Sequence, residues 1–286
     1  MNINKPLPVI LSYIQVQSLL EAKRKGQTTA EVSLDLGITT ATVTITPEAV
    51  IFPNGEQLNW QTAEKIKKSA VNCFLVENND ARPIQVFSEF TNRMCSLMPT
   101  ERAPSMLIAG FLMHRIKDVD PIQDTLKKVA AIAPVVGRVL DTATGLGYTA
   151  IEVAKTADEV VTIELDPGAQ EMAQLNPWSQ GLFSNPKIRQ VMGDAFEVVQ
   201  GLADESFSRI LHDPPTLSLA GDLYSGTFYR QLYRVLKRGG RMFHYIGDPN
   251  SKASGNVTKG VMRRLQEAGF TRVVRRPEAF GVVAYK

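Results

Sequence analysis

An α/β fold, with a mostly parallel sheet, an antiparallel last strand and a small N-terminal α+β lobe, is predicted from three observations. Short β-branched runs alternate with helical segments from residue 138 onward. Four of these runs end in an acidic residue, and the first is followed by a glycine turn. The last two runs, 271–275 and 281–285, have no helix between them, which predicts a closing antiparallel pair.

The first run, at residues 139–141, ends in a carboxylate and is followed by a glycine loop and a helix start. Gly145 allows a sharp turn, and Gly147 allows a ligand to approach the backbone closely. A strand, a tight loop and a helix in this order are typical of a nucleotide-like ligand site. We expect the following residues to contact that ligand: Asp141, Thr142, Ala143, Gly145, Gly147, Tyr148 and Thr149.

The charge of Asp141 selects among possible ligands. The spacing Gly145-x-Gly147-x-x-Ala150 also matches a dinucleotide fingerprint, but an acid beside the loop would repel a pyrophosphate. S-adenosylmethionine carries a sulfonium and an ammonium and no phosphate, so it suits an acidic loop. The alternative is that Asp141 merely caps the loop or the helix start.

Two further strand ends offer groups for the rest of such a ligand. Glu164, with Leu165 beside it, lies about 20 residues past the loop, the spacing of a ribose-binding acid, although Asp166 could compete. Asp194 follows the third run and could accept from an adenine amino group while the Ala195 backbone N–H serves a ring nitrogen. Asp194 could equally be a helix N-cap, and one residue can do both.

The fourth run stops at His212-Asp213-Pro214-Pro215. Two prolines cannot donate hydrogen bonds to a ladder and they stiffen the loop. The side chain of Asp213 and the carbonyl of Pro214 would then be paired acceptors held toward an amine, so they are candidate catalytic groups. His212 and His244 could remove a proton, or either could be a buried structural histidine.

Over residues 102–286 these motifs resemble the class I S-adenosylmethionine-dependent methyltransferases. The resemblance rests on D-x-x-x-G-x-G, the acid of the second strand, G-D-A at the third and D-P-P at the fourth. It implies a Rossmann-like seven-stranded sheet and S-adenosylmethionine as cofactor. It places Asp141, Gly145 and Gly147 on the methionine part, Glu164 on ribose, Asp194 on adenine and Asp213 with Pro214 at the acceptor. The His-Asp-Pro-Pro loop is more narrowly similar to a predicted archaeal-type methyltransferase family.

Two departures from that class bear on the acceptor. Amino-methyltransferases of this class often carry an aromatic residue after the prolines to stack on a flipped-out base, but Thr216 stands there. Stacking would need other aromatic residues, whose simpler explanation is core packing: Tyr224, Phe228, Trp178 and Phe183. Cys73 and Cys95 both precede the glycine loop, which disfavours cysteine-based C5-pyrimidine methylation.

Composition indicates a soluble cytoplasmic protein. The 286 residues are 44% hydrophobic, and no run approaches about 18 uninterrupted apolar residues. Two distant cysteines and three histidines offer neither a disulfide framework nor metal-ligand spacing, so we expect no metal. We expect an accessory lobe over 1–98 and a catalytic domain over 99–286, with residues 106–116 as a helix that leads into the sheet.

The net charge of +3 names no partner, but basic residues are concentrated near the C-terminus. This segment, with the N-terminal lobe, could bind RNA phosphates, or it could be a solvated face. From residue 234 onward the only acidic residues are Asp248, Glu267 and Glu278. The basic residues of the same segment are Arg234, Lys237, Arg238, Arg241, Lys252, Lys259, Arg263, Arg264, Arg272, Arg275, Arg276 and Lys286.

Three functions are therefore considered. The first is N-methylation of a nucleic acid, RNA before DNA. The second is methyl or aminopropyl transfer to a small amine, since the helix that ends in Lys237-Arg238-Gly239-Gly240 also resembles polyamine synthases, which carry a more glycine-rich first loop. The third is cofactor binding without catalysis.

Overall fold

The structure, a computed structural model, describes residues 8–215, 217, 220–248 and 254–286. By spatial contact the chain divides into two units. The first is the chain up to Pro121 together with Glu171–Gln180, and the second is Ile122–Gln170 with Gly181–Lys286. The domain boundary at residues 98 and 99 stays a prediction.

Between residues 8 and 120, the described part of the first unit contains two helices and three antiparallel sheets. The sheets have the orders β1-β6-β7, β2-β3-β4-β5 and β11-β10-β9-β8. The elements are β1 (Val9–Leu11), α1 (Tyr13–Arg24), β2 (Thr29–Val32), β3 (Ala41–Ile45), β4 (Ala49–Ile51), β5 (Gln57–Asn59), α2 (Trp60–Lys67), β6 (Phe74–Glu77), β7 (Asp80–Pro83), β8 (Gln85–Ser88), β9 (Arg93–Met98), β10 (Ser105–Ile108) and β11 (Phe111–Leu112).

Local signals explain the turns of this unit. Ser12 forms a capping box with Gln15, which starts α1 after the short strand β1. Asn54 and Gly55 lie between β4 and β5, with Gly55 at φ 90°, as glycine in a tight hairpin turn allows.

The helix expected over residues 106–116 is wrong. Residues 105–112 form the hairpin of β10 and β11, in which Ile108 pairs with Phe111. Ala109 and Gly110 both have positive φ, 49° and 82°, as in the two-residue turns that suit hairpins. The apolar run therefore turns back on itself instead of continuing as a helix.

From residue 121 onward the chain alternates helices and strands, apart from a segment of α5 that packs in the first unit. The elements are α3 (Pro121–Ala131), β12 (Arg138–Asp141), α4 (Tyr148–Val153), β13 (Glu159–Glu164), α5 (Pro167–Leu175), α6 (Gln180–Ser184), β14 (Ile188–Met192), α7 (Ala195–Gln200), β15 (Phe207–His212), α8 (Gly226–Val235), β16 (Leu236–Tyr245), α9 (Ser254–Glu267), β17 (Arg272–Arg276) and β18 (Gly281–Tyr285).

Seven of these strands form one twisted sheet in the order β14-β13-β12-β15-β16-β18-β17. The first five are parallel to their neighbours, and β18 inserts antiparallel between β16 and β17. This confirms the predicted α/β fold with a seven-stranded Rossmann-like sheet. Because the parallel strands point the same way, their acid-bearing ends meet at one edge of the sheet.

The core of this unit explains why the edge is well defined. Phe207, Phe228 and Phe243 are completely buried around the central strands. Helices α7 and α8 pack in one buried cluster with Leu140 of β12 and Ile210 of β15, so side-chain packing holds these two strands in place.

Among the described residues no helix combines the length and the apolar character that crossing a membrane requires.

Candidate active site

The glycine loop joins β12 to α4, and its two glycines differ in how closely other side chains pack against them. Gly145 and Gly147 both have positive φ, 52° and 75°. A Cβ on Gly147 would lie 2.8 Å from Leu182, whereas nothing lies within 4 Å of a Cβ built on Gly145. Tyr148 begins α4 and is buried. The loop therefore packs tightly at Gly147 and has open space next to Gly145.

Asp141, the last residue of β12, is completely buried. Its Oδ2 accepts hydrogen bonds from Thr149 at 3.1 Å and from Thr162 at 3.0 Å. Its Oδ1 is also buried, and no hydrogen bond of normal length and angle reaches it from the described residues. Burial raises the pKa of Asp141 to about 7, an effect that the two hydroxyls oppose and the charge of Asp213 reinforces. Among the described residues, one oxygen of the carboxylate is thus bonded to two hydroxyls, and only a weak contact from the Ala143 N–H opposes the effect of burial on the rest of the group.

Glu164 ends β13 and binds the glycine loop directly. Its Oε2 accepts from the Gly145 N–H at 2.8 Å, and its Oε1 accepts from the Asp166 N–H at 2.9 Å. Burial raises the pKa of Glu164, which these backbone donors oppose. Asp166 instead points to the start of α5, where it accepts from the Gly168 N–H at 2.8 Å. Glu164 is therefore the acid that faces the loop.

Apolar side chains lie exposed beside this acid. Leu165 is 44% exposed, and Met192, which pairs with Glu164 at the end of β14, is 45% exposed. Large exposed apolar groups next to a polar anchor are typical of a site that receives a flat ring.

Asp194 and Ala195 lie just past β14. Asp194 is exposed and caps α7, since its Oδ1 accepts from the Phe196 N–H at 2.8 Å. The capping alternative is thus confirmed, and the proposed adenine contact stays a prediction. Ala195 is buried at the first turn of that helix.

His212 is the last residue of β15 and both of its ring nitrogens have partners. Nδ1 lies 2.7 Å from the hydroxyl of Thr142, and Nε2 lies 2.9 Å from the carbonyl of Leu223. A carbonyl needs a donor, so Nε2 carries the proton and Nδ1 accepts from Thr142. Burial lowers the pKa of His212 to about 4. A neutral ring in this position links the glycine loop to β15.

His244 and two tyrosines extend this buried network. The rings of His212 and His244 are 4.3 Å apart between centroids, and Nε2 of His244 lies 2.8 Å from the hydroxyl of Tyr229. Burial lowers the pKa of His244 well below its usual value. Tyr224 is also buried and donates to the carbonyl of Pro215 at 3.1 Å. A hydrogen bond from the buried Tyr224 therefore anchors the loop after β15 to the core.

Asp213 and Pro214 follow His212 directly, as predicted. Pro214 is buried, and the Asp213 side chain remains 20% exposed. Thr216 lies outside the described residues. Tyr224 and Phe228, considered as base-stacking groups, are buried in the core.

A residue missed by the sequence analysis, Lys128 of α3, holds Asp213. Its Nζ lies 2.6 Å from Oδ2 of Asp213 and 2.8 Å from Oδ2 of Asp124. Burial opposes the charge of Lys128, but the two carboxylates outweigh it and raise its pKa above the usual value. The i,i+4 spacing of Asp124 and Lys128 was the available signal, but nothing local ties them to residue 213.

Comparison with known proteins identifies a domain family and a relative of this chain. A family model described as a methyltransferase domain matches residues 140–244, which contain the glycine loop and the four strand-end acids. The curated protein named Uncharacterized protein MJ1233, from Methanocaldococcus jannaschii, is 43% identical over 237 residues, 82% of this chain and 80% of that protein.

More distant similarity is to polyamine enzymes. The polyamine aminopropyltransferase of Sulfurisphaera tokodaii is 25% identical over 189 residues, 64% of this chain and 60% of that protein. Among solved structures, a spermidine synthase in complex with the transition state analogue AdoDATO aligns with a TM-score of 0.58 at 18% identity, covering 72% of this chain and 76% of that one. Spermidine synthase from Thermotoga maritima aligns with a TM-score of 0.55 at 19% identity, covering 72% and 75%. At these identities the structures are alike in fold alone.

Proposed function

This chain belongs to the family of protein MJ1233 and is an S-adenosylmethionine-dependent enzyme with a methyltransferase domain, and from that premise we propose that it transfers an alkyl group to the nitrogen of a small amine. The group is methyl or aminopropyl. The observation that carries the proposal is the position of Asp213, a partly exposed carboxylate at the strand edge beside the buried acid Asp141. Two acids so placed attract a cationic or amine acceptor.

The strand-end residues fit the sulfonium nucleoside. Asp141 offers a buried Oδ1 that no hydrogen bond of normal length and angle reaches from the described residues, Gly145 leaves open space, and Glu164 lies beside that glycine. Leu165 and Met192 offer apolar surface for a base. When bound, S-adenosylmethionine supplies an alkyl carbon activated by positively charged sulfur.

Asp213 performs the acceptor chemistry in this proposal. Its carboxylate accepts a hydrogen bond from the amine, orients the nitrogen lone pair and stabilises the positive charge that develops on nitrogen. The acceptor would react as the uncharged amine, after its ammonium proton has passed to solvent, and the contribution of Asp213 would be mainly to position that amine. His212 serves as a structural group, since its two nitrogens are already bonded to Thr142 and Leu223.

The small amine replaces nucleic acid as the leading acceptor. Several C-terminal basic residues bind within the chain: Arg234 donates to the carbonyls of Leu202 and Val199, and Arg264 donates to that of Tyr224. Lys286 pairs with Glu205 at 3.4 Å. These cations are less available for phosphates than the sequence suggested, and Lys252 lies outside the described residues. The similarity to polyamine aminopropyltransferases supports the same choice.

Product identification tests this proposal. The full chain is incubated with putrescine and total tRNA together, once with S-adenosylmethionine labelled in its methyl group and once with the decarboxylated form labelled in its aminopropyl group. We expect label in the amine with one of the two donors, detected by mass spectrometry. Label in tRNA alone, with binding that weakens steeply as salt rises, would instead support the RNA alternative.

A further inference from the structure

A nearly dry cluster of three charges lies behind the proposed acceptor position. Lys128 is 4% exposed and Asp124 is 1% exposed, while Asp213 is 20% exposed. Lys128 and Asp124 belong to α3, and Asp213 follows β15, 85 residues later in the chain. The cluster therefore joins the helix that precedes the sheet to the loop that ends its fourth parallel strand along the chain.

The hydrogen bonds divide the two oxygens of Asp213 into different roles. Oδ2 is taken by Lys128 at 2.6 Å, and Oδ1 receives no hydrogen bond from the described residues. The Lys128 ammonium also binds Asp124 and lies 4.8 Å from the centre of the Tyr245 ring. The bond from Lys128 to Oδ2 restricts the orientation of the Asp213 carboxylate and leaves Oδ1 as its second acceptor.

We propose that Lys128 is a positioning residue, which holds Asp213 ionised and oriented so that Oδ1 is free for the acceptor amine. This inference rests on the proposed function for the role of Asp213, but the interaction itself can be tested without any substrate.

The charges around Asp213 determine in which direction each neighbour shifts its pKa. Burial raises the pKa of Asp213, Lys128 opposes that rise, and Asp124 adds to it. From β12, Asp141 also faces Asp213 closely enough for their charges to interact, and so does Tyr224 from the turn before α8. Lys128 is thus the cation that keeps the Asp213 carboxylate charged near two other carboxyl groups, those of Asp124 and Asp141.

Stability alone is a poor explanation for this cluster. A buried ion pair loses about as much in desolvation as it gains in attraction, and apolar replacements of such pairs are often neutral or stabilising. A purely structural contact between α3 and the Asp213 loop would be served as well by an apolar side chain. A fixed cation beside one oxygen of Asp213 instead fits a carboxylate that is kept charged and oriented.

Carboxyl NMR of the full chain, labelled with ¹³C at aspartate, tests the proposal directly. The Asp213 resonance is assigned as the one lost in Asp213→Asn. We expect Lys128→Met to raise the pKa of Asp213 by about 1 unit or more and Asp124→Asn to lower it. Lys128→Arg keeps the positive charge, so its titration should stay near that of the parent protein. An unchanged pKa in Lys128→Met, or shifts of the same sign in Lys128→Met and Asp124→Asn, would overturn the proposal.

Two further readouts keep the outcomes distinct. If Lys128→Met does not fold, as judged by circular dichroism, Lys128→Gln, which keeps a hydrogen-bond donor without the charge, takes its place: a raised pKa of Asp213 supports the proposal and an unchanged one contradicts it. Once a transferred group is identified, the acid limb of the pH profile of turnover should move in the same directions. If the parent protein alkylates no amine, the proposed function fails, while the titration still decides whether Lys128 governs Asp213.

Discussion

Oε2 of Glu164 accepts a hydrogen bond from the backbone N–H of Gly145 at 2.8 Å. The bond fixes the glycine loop to the end of the neighbouring strand, β13. The other oxygen of the same carboxylate is held by the Asp166 N–H at 2.9 Å. One side chain therefore sets the geometry of the loop and also lies where a ribose-binding acid is expected.

Glu164→Gln should weaken S-adenosylmethionine binding about tenfold. A glutamine amide has one acceptor oxygen, so one of the two backbone N–H groups loses its partner, at a cost of about 1–3 kcal/mol. Isothermal titration calorimetry measures the change. Glu159→Gln, at the opposite end of the same strand and paired with Arg138, is the matched control and should bind normally. Equal affinity in both variants would contradict this role of Glu164.

Asp141 should make cofactor binding depend on pH. Burial raises its pKa to about 7, so without a ligand the folded protein favours the protonated acid, and stability is lost as pH rises from about 4 through 7. A bound cation favours the carboxylate, so binding should release a proton below pH 7 and tighten as pH rises. Calorimetry in buffers of different ionisation enthalpy measures the proton release.

Asp141→Asn removes the titrating group and is the control for that experiment. Its binding should be weaker at pH 8 and should release no proton. Its unfolding free energy relative to the parent protein should be higher at pH 8 than at pH 5. Proton release that persists in Asp141→Asn would assign the titration to another residue.

The two glycines should respond differently to alanine. Gly147→Ala places a Cβ 2.8 Å from Leu182, so it should lose about 1–3 kcal/mol of stability. Gly145→Ala meets open space and has only the strain of a positive φ, about 1 kcal/mol, but it narrows the side expected to face the cofactor. Urea unfolding and cofactor titration should therefore rank the variants in opposite orders. The same order in both assays would contradict this division.

Most of the second unit could be predicted because its signals are local. Four of the five parallel strands end in an acid or are followed by one within two residues, and the glycine turn of residues 145–147 marks the start of α4. Order along the chain then places Asp141, Glu164 and Asp213 at one edge of the sheet. The hairpin at Ala109 was missed because an apolar run of this length also fits a helix, and only Gly110 interrupts it.

The partners of the site residues could not be predicted. Lys128 is 85 positions from Asp213, and a lysine in a helix is normally solvated. The burial of His212 and His244 depends on how α8 and the turn before it cover β15 and β16, which no spacing in the sequence states. The pKa values and orientations of the site residues thus depend on tertiary contacts that the sequence pattern does not reveal.

The buried histidines should make the protein sensitive to acid. His212 has a pKa lowered to about 4, so the unfolded chain takes up a proton below about pH 6.5 while the folded chain does not. Its contribution to stability is therefore present above pH 6.5 and lost as pH falls toward 4. Urea unfolding between pH 7 and 4.5 should show this loss, with a shallower slope in His212→Asn. An identical slope in the variant would assign the loss to other groups.

The most direct test of the account compares turnover and cofactor affinity in Asp213→Asn. Asparagine keeps the shape but not the charge, so alkyl transfer to the amine should fall by about 10²-fold or more while S-adenosylmethionine binding is retained. Asp204→Asn, which alters only a pair with Arg234 away from the strand edge, should retain full turnover. Full activity in Asp213→Asn, or a loss of cofactor binding as large as the loss of turnover, would contradict the account.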